Sequence, residues 1–92
     1  MKSNSSNPRK KVFIIDLTGV RSAVRMHAAI AGALSLPEHY GRNLDAFYDV
    51  LTEYGGNWKI VFKHAGAVAR GLCAVCADAM AETPGLEIMF EP

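Results

Sequence analysis

The sequence predicts an α/β domain, a small fold in which a three-stranded parallel sheet is combined with about three helices. Three short segments are rich in β-branched and aromatic residues, and three longer segments place apolar residues at helical spacing. Strand and helix segments alternate along the chain, as they do in parallel sheets whose strands are joined by right-handed crossover helices. The length of 92 residues allows one domain with a modest core.

The strand segments are short and are bounded by turn residues. They are Lys11–Leu17, Trp58–Lys63 and Leu86–Phe90. The first contains the uninterrupted apolar run Val12–Ile15, which is typical of a strand covered on both faces of its sheet. Thr18 and Gly19 end this strand, and Pro84 with Gly85 turns the chain into the third.

Each helix segment has an apolar stripe, and two of the three begin at a good capping residue. Ser22 suits the N-cap of a first helix that ends near Leu34, and Asn43 suits the N-cap of a second helix over Leu44–Tyr54. A third helix covers about Ala67–Glu82. The residues expected to face the core are Ala23, Met26, His27, Ile30, Leu34, Leu44, Phe47, Val50, Leu51, Val68, Leu72, Val75, Cys76 and Ala79.

Charge is unevenly distributed along the chain. The formal net charge is +1, but residues 1–11 carry four positive charges, and the remainder has six Lys and Arg against nine Asp and Glu. We expect residues 1–10 to form a flexible, solvated basic tail and residues 11–92 to form the domain. A mildly acidic domain is a poor match for nucleic acid, so we expect no direct nucleic-acid partner.

Two features of the chain bear on its location. No apolar run approaches the roughly 18 residues needed to span a membrane. The N-terminal segment is basic and rich in Ser and Asn, and it contains no apolar stretch of the kind found in signal peptides. These features predict a cytoplasmic protein with no membrane partner.

The most unusual pattern is a row of acidic residues in the second predicted helix. Asp45, Asp49 and Glu53 recur every four residues, which stacks three carboxylates on one helix face. Like charges at this spacing repel, whereas an acidic face flanked by Tyr48 and Tyr54 suits a basic protein partner. The alternative is structural: Asp45 interacts with the helix dipole, Asp49 pairs with a surface cation, and Glu53 is only solvated.

A catalytic pair of carboxylates is a further possibility for Asp45 and Asp49. Such a pair acts as acid and base on a substrate held between them. A helix face is convex, whereas active sites are concave. We therefore expect no cleft beside these acids and no hydrolase activity.

Cys73 and Cys76 form the motif Cys-x-x-Cys in the third predicted helix. In redox proteins this motif usually begins a helix, where the dipole lowers a thiol pKa. Here it lies in the middle of the helix, so we interpret both residues as free structural thiols. A thiol oxidoreductase stays as a less favoured alternative.

Metal and cofactor chemistry find little support in the sequence. No His or Cys pair stands at zinc-binding spacing beside the two cysteines. His27 lies on the inward stripe of the first predicted helix and is interpreted as a hydrogen-bonded core histidine. The sequence thus predicts no catalytic residue, no metal site and no cofactor.

The segment Leu36–Asp49 carries a family resemblance. Read as Leu-Pro-Glu-x-Tyr-Gly-x-Asn-Leu-Asp-Ala-x-x-Asp, it resembles the signature of the barstar family, intracellular inhibitors of barnase-type ribonucleases. The order of elements over most of Val12–Phe90 is also similar. The resemblance implies a small α/β fold with strands in the order 1-2-3. Members often carry a short helix after the second strand, but the four residues His64–Ala67 leave room here for no more than a turn.

The resemblance also implies how the acidic helix acts. In the family, the second helix presses its acids into the phosphate-binding cleft of the ribonuclease, where they replace the phosphates of RNA. Asp45 and Asp49 fall on matching positions, and Asp49 falls on the position of the family's most important acid. Asp78, in the third predicted helix, aligns with a family Glu that also reaches the nuclease.

Several positions depart from the family pattern. His39 replaces a usual Tyr, Tyr48 and Tyr54 replace Trp, and Arg42 stands where barstar has an acid. These departures favour a different ribonuclease partner over a loss of inhibition. The predicted partner-binding residues are His39, Tyr40, Gly41, Arg42, Asn43, Asp45, Tyr48, Asp49, Glu53, Tyr54 and Asp78.

The sequence therefore predicts a protein without enzymatic activity that blocks a secreted or toxin-type ribonuclease by occluding its active site. The free protein is expected to be a monomer. One alternative is an interaction module of the same fold whose partner is not a ribonuclease. The other is the thiol oxidoreductase that would use Cys73 and Cys76.

Overall fold

A computed structural model of the chain describes residues 10–92. It has three strands and three helices in the predicted alternation, with two 3₁₀ turns at Gly55–Asn57 and Gly66–Val68. The elements are β1 (Lys11–Asp16), α1 (Ala23–Leu34), α2 (Leu44–Tyr54), β2 (Trp58–Lys63), α3 (Ala69–Glu82) and β3 (Glu87–Glu91). The predicted bounds of α1, α2 and β2 are confirmed, and those of the other elements differ by one or two residues.

The sheet is parallel throughout, and its strands lie in the order β1-β2-β3. Lys11 pairs with Trp58 at the start of β1, and Lys59 pairs with Glu87 between β2 and β3. Both the α/β class and the strand order are therefore as predicted. The connection from β2 to α3 consists of His64, Ala65 and the 3₁₀ turn Gly66–Val68, and this single turn agrees with the expectation for that connection.

The core lies between the helices and one face of the sheet. Phe62 of the central strand β2 packs edge-on against Phe47 of α2, with ring centroids 6.4 Å apart, and stacks on Phe90 of β3 at 5.2 Å. The fully buried side chains include Leu17, Ile30, Phe47, Leu51, Ile60, Phe62, Leu72 and Cys76. The predicted inward faces of α1, α2 and α3 supply five of these eight residues, and their packing fixes the position of α2.

The expectation that β1 is covered on both faces is wrong. Val12 and Ile14 are 58% and 61% exposed, and Met89 on β3 is 45% exposed on the same face. The strand order explains the difference: right-handed crossovers that always step in the same direction place their helices on the same side of the sheet. Within residues 10–92 the edge strands therefore expose this face to solvent, whereas Val61 of the central strand β2 is buried on it.

The predicted basic tail lies almost wholly outside the described residues, which begin at Lys10. Lys10 itself is attached to the domain, because its Nζ donates to the Gly85 carbonyl at 2.7 Å and lies 3.3 Å from a Glu87 carboxylate oxygen. Among the described helices, none combines the length and the apolar character required to cross a membrane.

Candidate functional site

The three acidic residues of α2 project into solvent from an otherwise well-anchored helix. Phe47 and Leu51 are fully buried on the opposite side, and Asp45, Asp49 and Glu53 are exposed. Within residues 10–92, none of the three carboxylates has a Lys, Arg or His nitrogen within the 4.0 Å that defines an ion pair. The pairing of Asp49 with a surface cation, which the structural interpretation required, is thus absent from the described part of the chain.

The loop before α2 is held against the first turn of that helix by Asn43. The Asn43 Oδ1 accepts a hydrogen bond from the Ala46 amide at 2.7 Å, which caps the helix, and its Nδ2 donates to the Gly41 carbonyl at 3.3 Å. A Cβ on Gly41 would lie 3.0 Å from the Ala46 Cβ, so the loop approaches α2 too closely for a larger residue to fit without a shift. This short cap gives the loop a defined shape beside the acids.

Tyr40 anchors the same loop to the core. Its hydroxyl lies 2.8 Å from the Nδ1 of His27 in α1, and both residues are more than nine-tenths buried. Burial raises the pKa of Tyr40 to about 12 and lowers the pKa of His27 below its ordinary 6.5; the nearby Arg42 guanidinium lowers the His27 pKa further. The prediction of a hydrogen-bonded core histidine is confirmed, and this hydrogen bond anchors the loop to α1.

A groove runs beside the acidic face, where the sequence predicted no cleft. It has a volume of about 530 Å³ and lies between α2, the end of α1 with the loop that follows, and the paired starts of β1 and β2. The expectation was wrong because it considered α2 alone, whereas the groove is formed where α2 meets other elements. Its lining residues are Lys11, Leu34, Leu36, Pro37, His39, Tyr40, Gly41, Ala46, Asp49, Val50, Glu53, Tyr54, Asn57 and Trp58.

The groove gathers about half of the predicted partner-binding residues and leaves the others elsewhere. His39, Tyr40, Gly41, Asp49, Glu53 and Tyr54 line it. Four others do not line it: Asn43 is the helix cap, Arg42 precedes it in the loop, and α2 carries Asp45 and the half-buried Tyr48. Asp78 is exposed on α3 and is not a lining residue either.

The apolar lining of the groove was not recognised in the sequence. Leu36 and Pro37 belong to the loop after α1, and Trp58 opens β2. The sequence assigned Trp58 only to a strand, and Leu36 and Pro37 only to the segment that carries the family resemblance. No local pattern joins these residues, because only the tertiary fold brings their segments together.

The two cysteines have different environments. Cys76 is fully buried, and burial, with a smaller contribution from Cys73, raises its pKa to about 12. Cys73 is exposed. Both thiols lie inside α3 and not at its N-terminus, where the helix dipole lowers a thiol pKa in redox proteins, and this position favours the structural interpretation over the oxidoreductase.

A second polar cluster lies at the carboxyl ends of β1 and β2. One Asp16 carboxylate oxygen accepts from the Thr18 hydroxyl at 2.6 Å and from the Thr18 amide at 2.9 Å, and it lies 3.2 Å from Nδ1 of His64. These bonds lower the pKa of Asp16 to about 2. All three residues are exposed, and no group of three or more potential metal-ligating side chains occurs among residues 10–92.

Comparison with models of protein families finds a match that covers most of this chain. The family model described as Barstar (barnase inhibitor) matches residues 10–86. The matched range contains the loop before α2, α2 itself and every residue that lines the groove.

Proposed function

The chain belongs to the barstar family, whose members are inhibitors and not enzymes, and we propose that it inhibits a barnase-type ribonuclease by covering the active site of that enzyme. The observation that carries the proposal is the row of exposed acids on α2, which has no cationic partner among the described residues. A ribonuclease active site binds phosphates with cations. The acids of α2 supply the opposite charge at regular spacing.

Rigidity of the acidic face favours this role. Phe47 and Leu51 are fully buried, so α2 cannot turn its acids away without disrupting the core. The Asn43 cap and the buried Tyr40 fix the preceding loop in the same way. A surface that is already ordered loses less conformational entropy on binding, which increases affinity for a matching site.

The proposed mechanism is occlusion. Asp49, at the centre of the row, enters the anion-binding cleft of the nuclease, and Asp45 with Glu53 contacts the cations around it. The loop containing His39 and Arg42 covers the rim of the cleft. No covalent step and no cofactor takes part, and the proposed setting is the cytoplasm of a cell that must be protected from a nuclease it makes.

Arg42 tunes the rate of association in this proposal. It is exposed beside α2, where its positive charge offsets part of the acidic field. Electrostatic steering toward a strongly basic target is weakened by a cation on the approaching surface. Arg42 therefore lowers the association rate with a basic ribonuclease, and the substitution Arg42→Glu is expected to raise it.

An inhibition assay tests the proposal. Purified chain is titrated into barnase, and into the ribonuclease encoded nearest to the gene of this chain, while cleavage of a fluorogenic RNA substrate is followed. We expect inhibition of the neighbouring enzyme that ends at one inhibitor per nuclease and that is relieved by excess substrate. Absence of inhibition of both enzymes would contradict the proposal.

A second function of the same fold is favoured by the substituted residues. Arg42 replaces an acid, and His39 and Tyr48 replace aromatic residues typical of the family. These changes reduce the acidity of the face and alter its aromatic contacts, which suits a less basic partner that is not a ribonuclease. The inhibition assay separates the two functions, because such a module would bind its partner through α2 without reducing RNA cleavage.

A further inference from the structure

The strand β1 forms one edge of the sheet, and no strand within residues 10–92 pairs with its outer side. Its six residues pair in unbroken register with β2, and it contains no Pro, Gly or bulge. Natural proteins protect such edges with charged residues, Pro or bulges, because unpaired backbone groups bind strands of other chains. The middle of β1, Val12–Ile15, is entirely apolar and lacks these devices.

The unpaired backbone groups of β1 can be assigned to particular residues. The amide and carbonyl of a strand residue point to the same side of the strand, and that side alternates from one residue to the next. The Leu17 amide donates to the Lys63 carbonyl of β2 at 2.8 Å, so Phe13, in the same alternation, also bonds to β2. Val12 and Ile14 therefore direct their N–H and C=O groups away from the sheet.

The opposite edge of the sheet, formed by β3, is protected by charge. Antiparallel pairing of two β3 strands would bring Glu87 and Glu91 of one copy close to the same residues of the other, and like charges on neighbouring strands destabilise a pair. On β1 the exposed side chains of the same face are Val12 and Ile14, which carry no charge. The β3 edge thus repels a second copy, and the β1 edge accepts one.

We propose that two copies of the chain pair through β1 in antiparallel orientation, so that their sheets join into one sheet of six strands. A two-fold axis passes beside Phe13 and relates the two copies. The free chain is then a weak dimer and not the monomer expected from the sequence. This inference is independent of the proposed function, because it involves none of the acids of α2.

The sequence of β1 is self-complementary in this register. Val12 of each copy lies opposite Ile14 of the other, and these residues exchange the backbone hydrogen bonds that their own sheet leaves unmade. Lys10 lies opposite Asp16 of the second copy, so opposite charges meet at both ends. An axis at Ile14 would instead place Val12 opposite Asp16, and an axis at Val12 would place Ile14 opposite Lys10. Of these three registers, the one centred on Phe13 matches apolar with apolar and cation with anion.

Charge selects the register more than it supplies affinity. Asp16 uses one carboxylate oxygen for its bonds to Thr18 and His64. Lys10 already contacts Glu87 in its own copy. Because exposed ion pairs contribute little free energy, the backbone hydrogen bonds and the apolar cross-strand pairs hold the two copies together.

Sedimentation velocity of the full chain tests the inference. An edge contact buries less surface than a permanent dimer, so we expect the mass to rise from that of one chain toward that of two between about 5 and about 500 µM. Hydrogen exchange at the Val12 and Ile14 amides should slow over the same range, whereas exchange at the Phe13 amide, already bonded to β2, should change less. A mass of one chain at every concentration would overturn the inference.

Two lysine substitutions separate the edge of the sheet from its open face. Ile14 and Met89 flank Val61 in one row across the sheet, and both side chains are exposed. Ile14→Lys puts a charge at the proposed contact, so we expect the dissociation constant of the dimer to rise at least about tenfold. Met89→Lys, on the other edge, is the matched control and should leave the constant unchanged. Equal weakening by both would indicate packing through the open face and would overturn the inference, as would a dimer that tolerates Ile14→Lys.

A disulfide locates the axis. In the proposed register Phe13 lies opposite itself in a non-hydrogen-bonded pair, with Cα atoms about 4.5 Å apart, which is within the range that a disulfide spans. In a Cys73→Ala background, Phe13→Cys should form a covalent dimer on oxidation, and Met89→Cys should not. Cross-linking through Met89→Cys, or a Phe13→Cys chain that dimerises without cross-linking, would overturn the inference.

Discussion

Mild acidification is expected to destabilise the folded chain through His27. The imidazole is 1% exposed, with Nδ1 2.8 Å from the Tyr40 hydroxyl, and burial lowers its pKa below 6.5. In the unfolded chain the same group regains its ordinary pKa and takes up a proton as the pH falls through 6.5. The unfolded state therefore binds more protons than the folded state, and the free energy of unfolding decreases toward acid.

The magnitude follows from proton linkage. Each unit of pH in which one extra proton is bound to the unfolded state costs about 1.4 kcal/mol of folding free energy. Because the unfolded histidine is only half protonated at pH 6.5, the loss between pH 6.5 and 5.5 is at most about 1 kcal/mol. The loss reaches this limit if folded His27 stays neutral throughout, and it continues toward lower pH until the folded imidazole is itself protonated.

Urea unfolding at several pH values between 5.5 and 7.5 measures this dependence. His27→Gln removes the titrating group and retains a side chain able to hydrogen-bond with Tyr40, so the slope below pH 6.5 should disappear in this variant. His64→Gln is the matched control, because His64 is exposed and the slope due to His27 should remain. A slope that persists in His27→Gln would refute the assignment of acid sensitivity to His27.

Three further predictions follow from the packing and charge of the chain. Gly85→Ala should lower the free energy of unfolding by more than about 1 kcal/mol, because the residue has φ +95° and its Cβ would overlap the backbone carbonyl oxygen of Gly56. Gly32→Ala is the control: it lies in open space on α1, so thermal melts should show a neutral or stabilising effect. Cys76→Ala should lower the melting temperature by removing buried volume, whereas Cys73→Ala should not, because Cys73 is exposed. Binding assays with and without reductant should find the affinity for the partner unchanged in both variants. Arg42→Glu should increase the association rate with a basic nuclease in stopped-flow mixing at low ionic strength, and a rate independent of salt would indicate apolar docking instead.

The fold was largely predictable because its signals are local. The Ser22 and Asn43 caps, the apolar stripes and the strand segments each act within a few residues, and the structure confirms both caps through hydrogen bonds to Arg25 and Ala46. The coverage of β1 was not predictable in this way. An apolar run such as Val12–Ile15 shows that a strand is compatible with burial, but the side on which the helices pack is decided by the crossovers.

In the candidate site, too, the features set by local sequence were predictable and those set by the tertiary fold were not. The exposure of Asp45, Asp49 and Glu53 could be predicted because helical spacing alone puts them opposite Phe47 and Leu51. The groove could not, because its walls come from α1, α2 and two strand ends that are distant in sequence. The bond between Tyr40 and His27 was half predicted: the sequence placed the histidine in the core but did not identify its partner.

Binding calorimetry of the chain with the ribonuclease that we propose as its partner tests the central claim most directly. The claim is that Asp49 is a contact and not a structural residue, since its carboxylate is exposed and has no ion-pair partner among residues 10–92. A hydrogen bond to a charged group contributes about 1.5–3 kcal/mol. Asp49→Ala should therefore raise the dissociation constant about 10- to 150-fold. The melting temperature of the free variant should stay close to that of the parent chain, and Glu82→Ala should change neither quantity. An unchanged dissociation constant together with a lowered melting temperature would contradict the account.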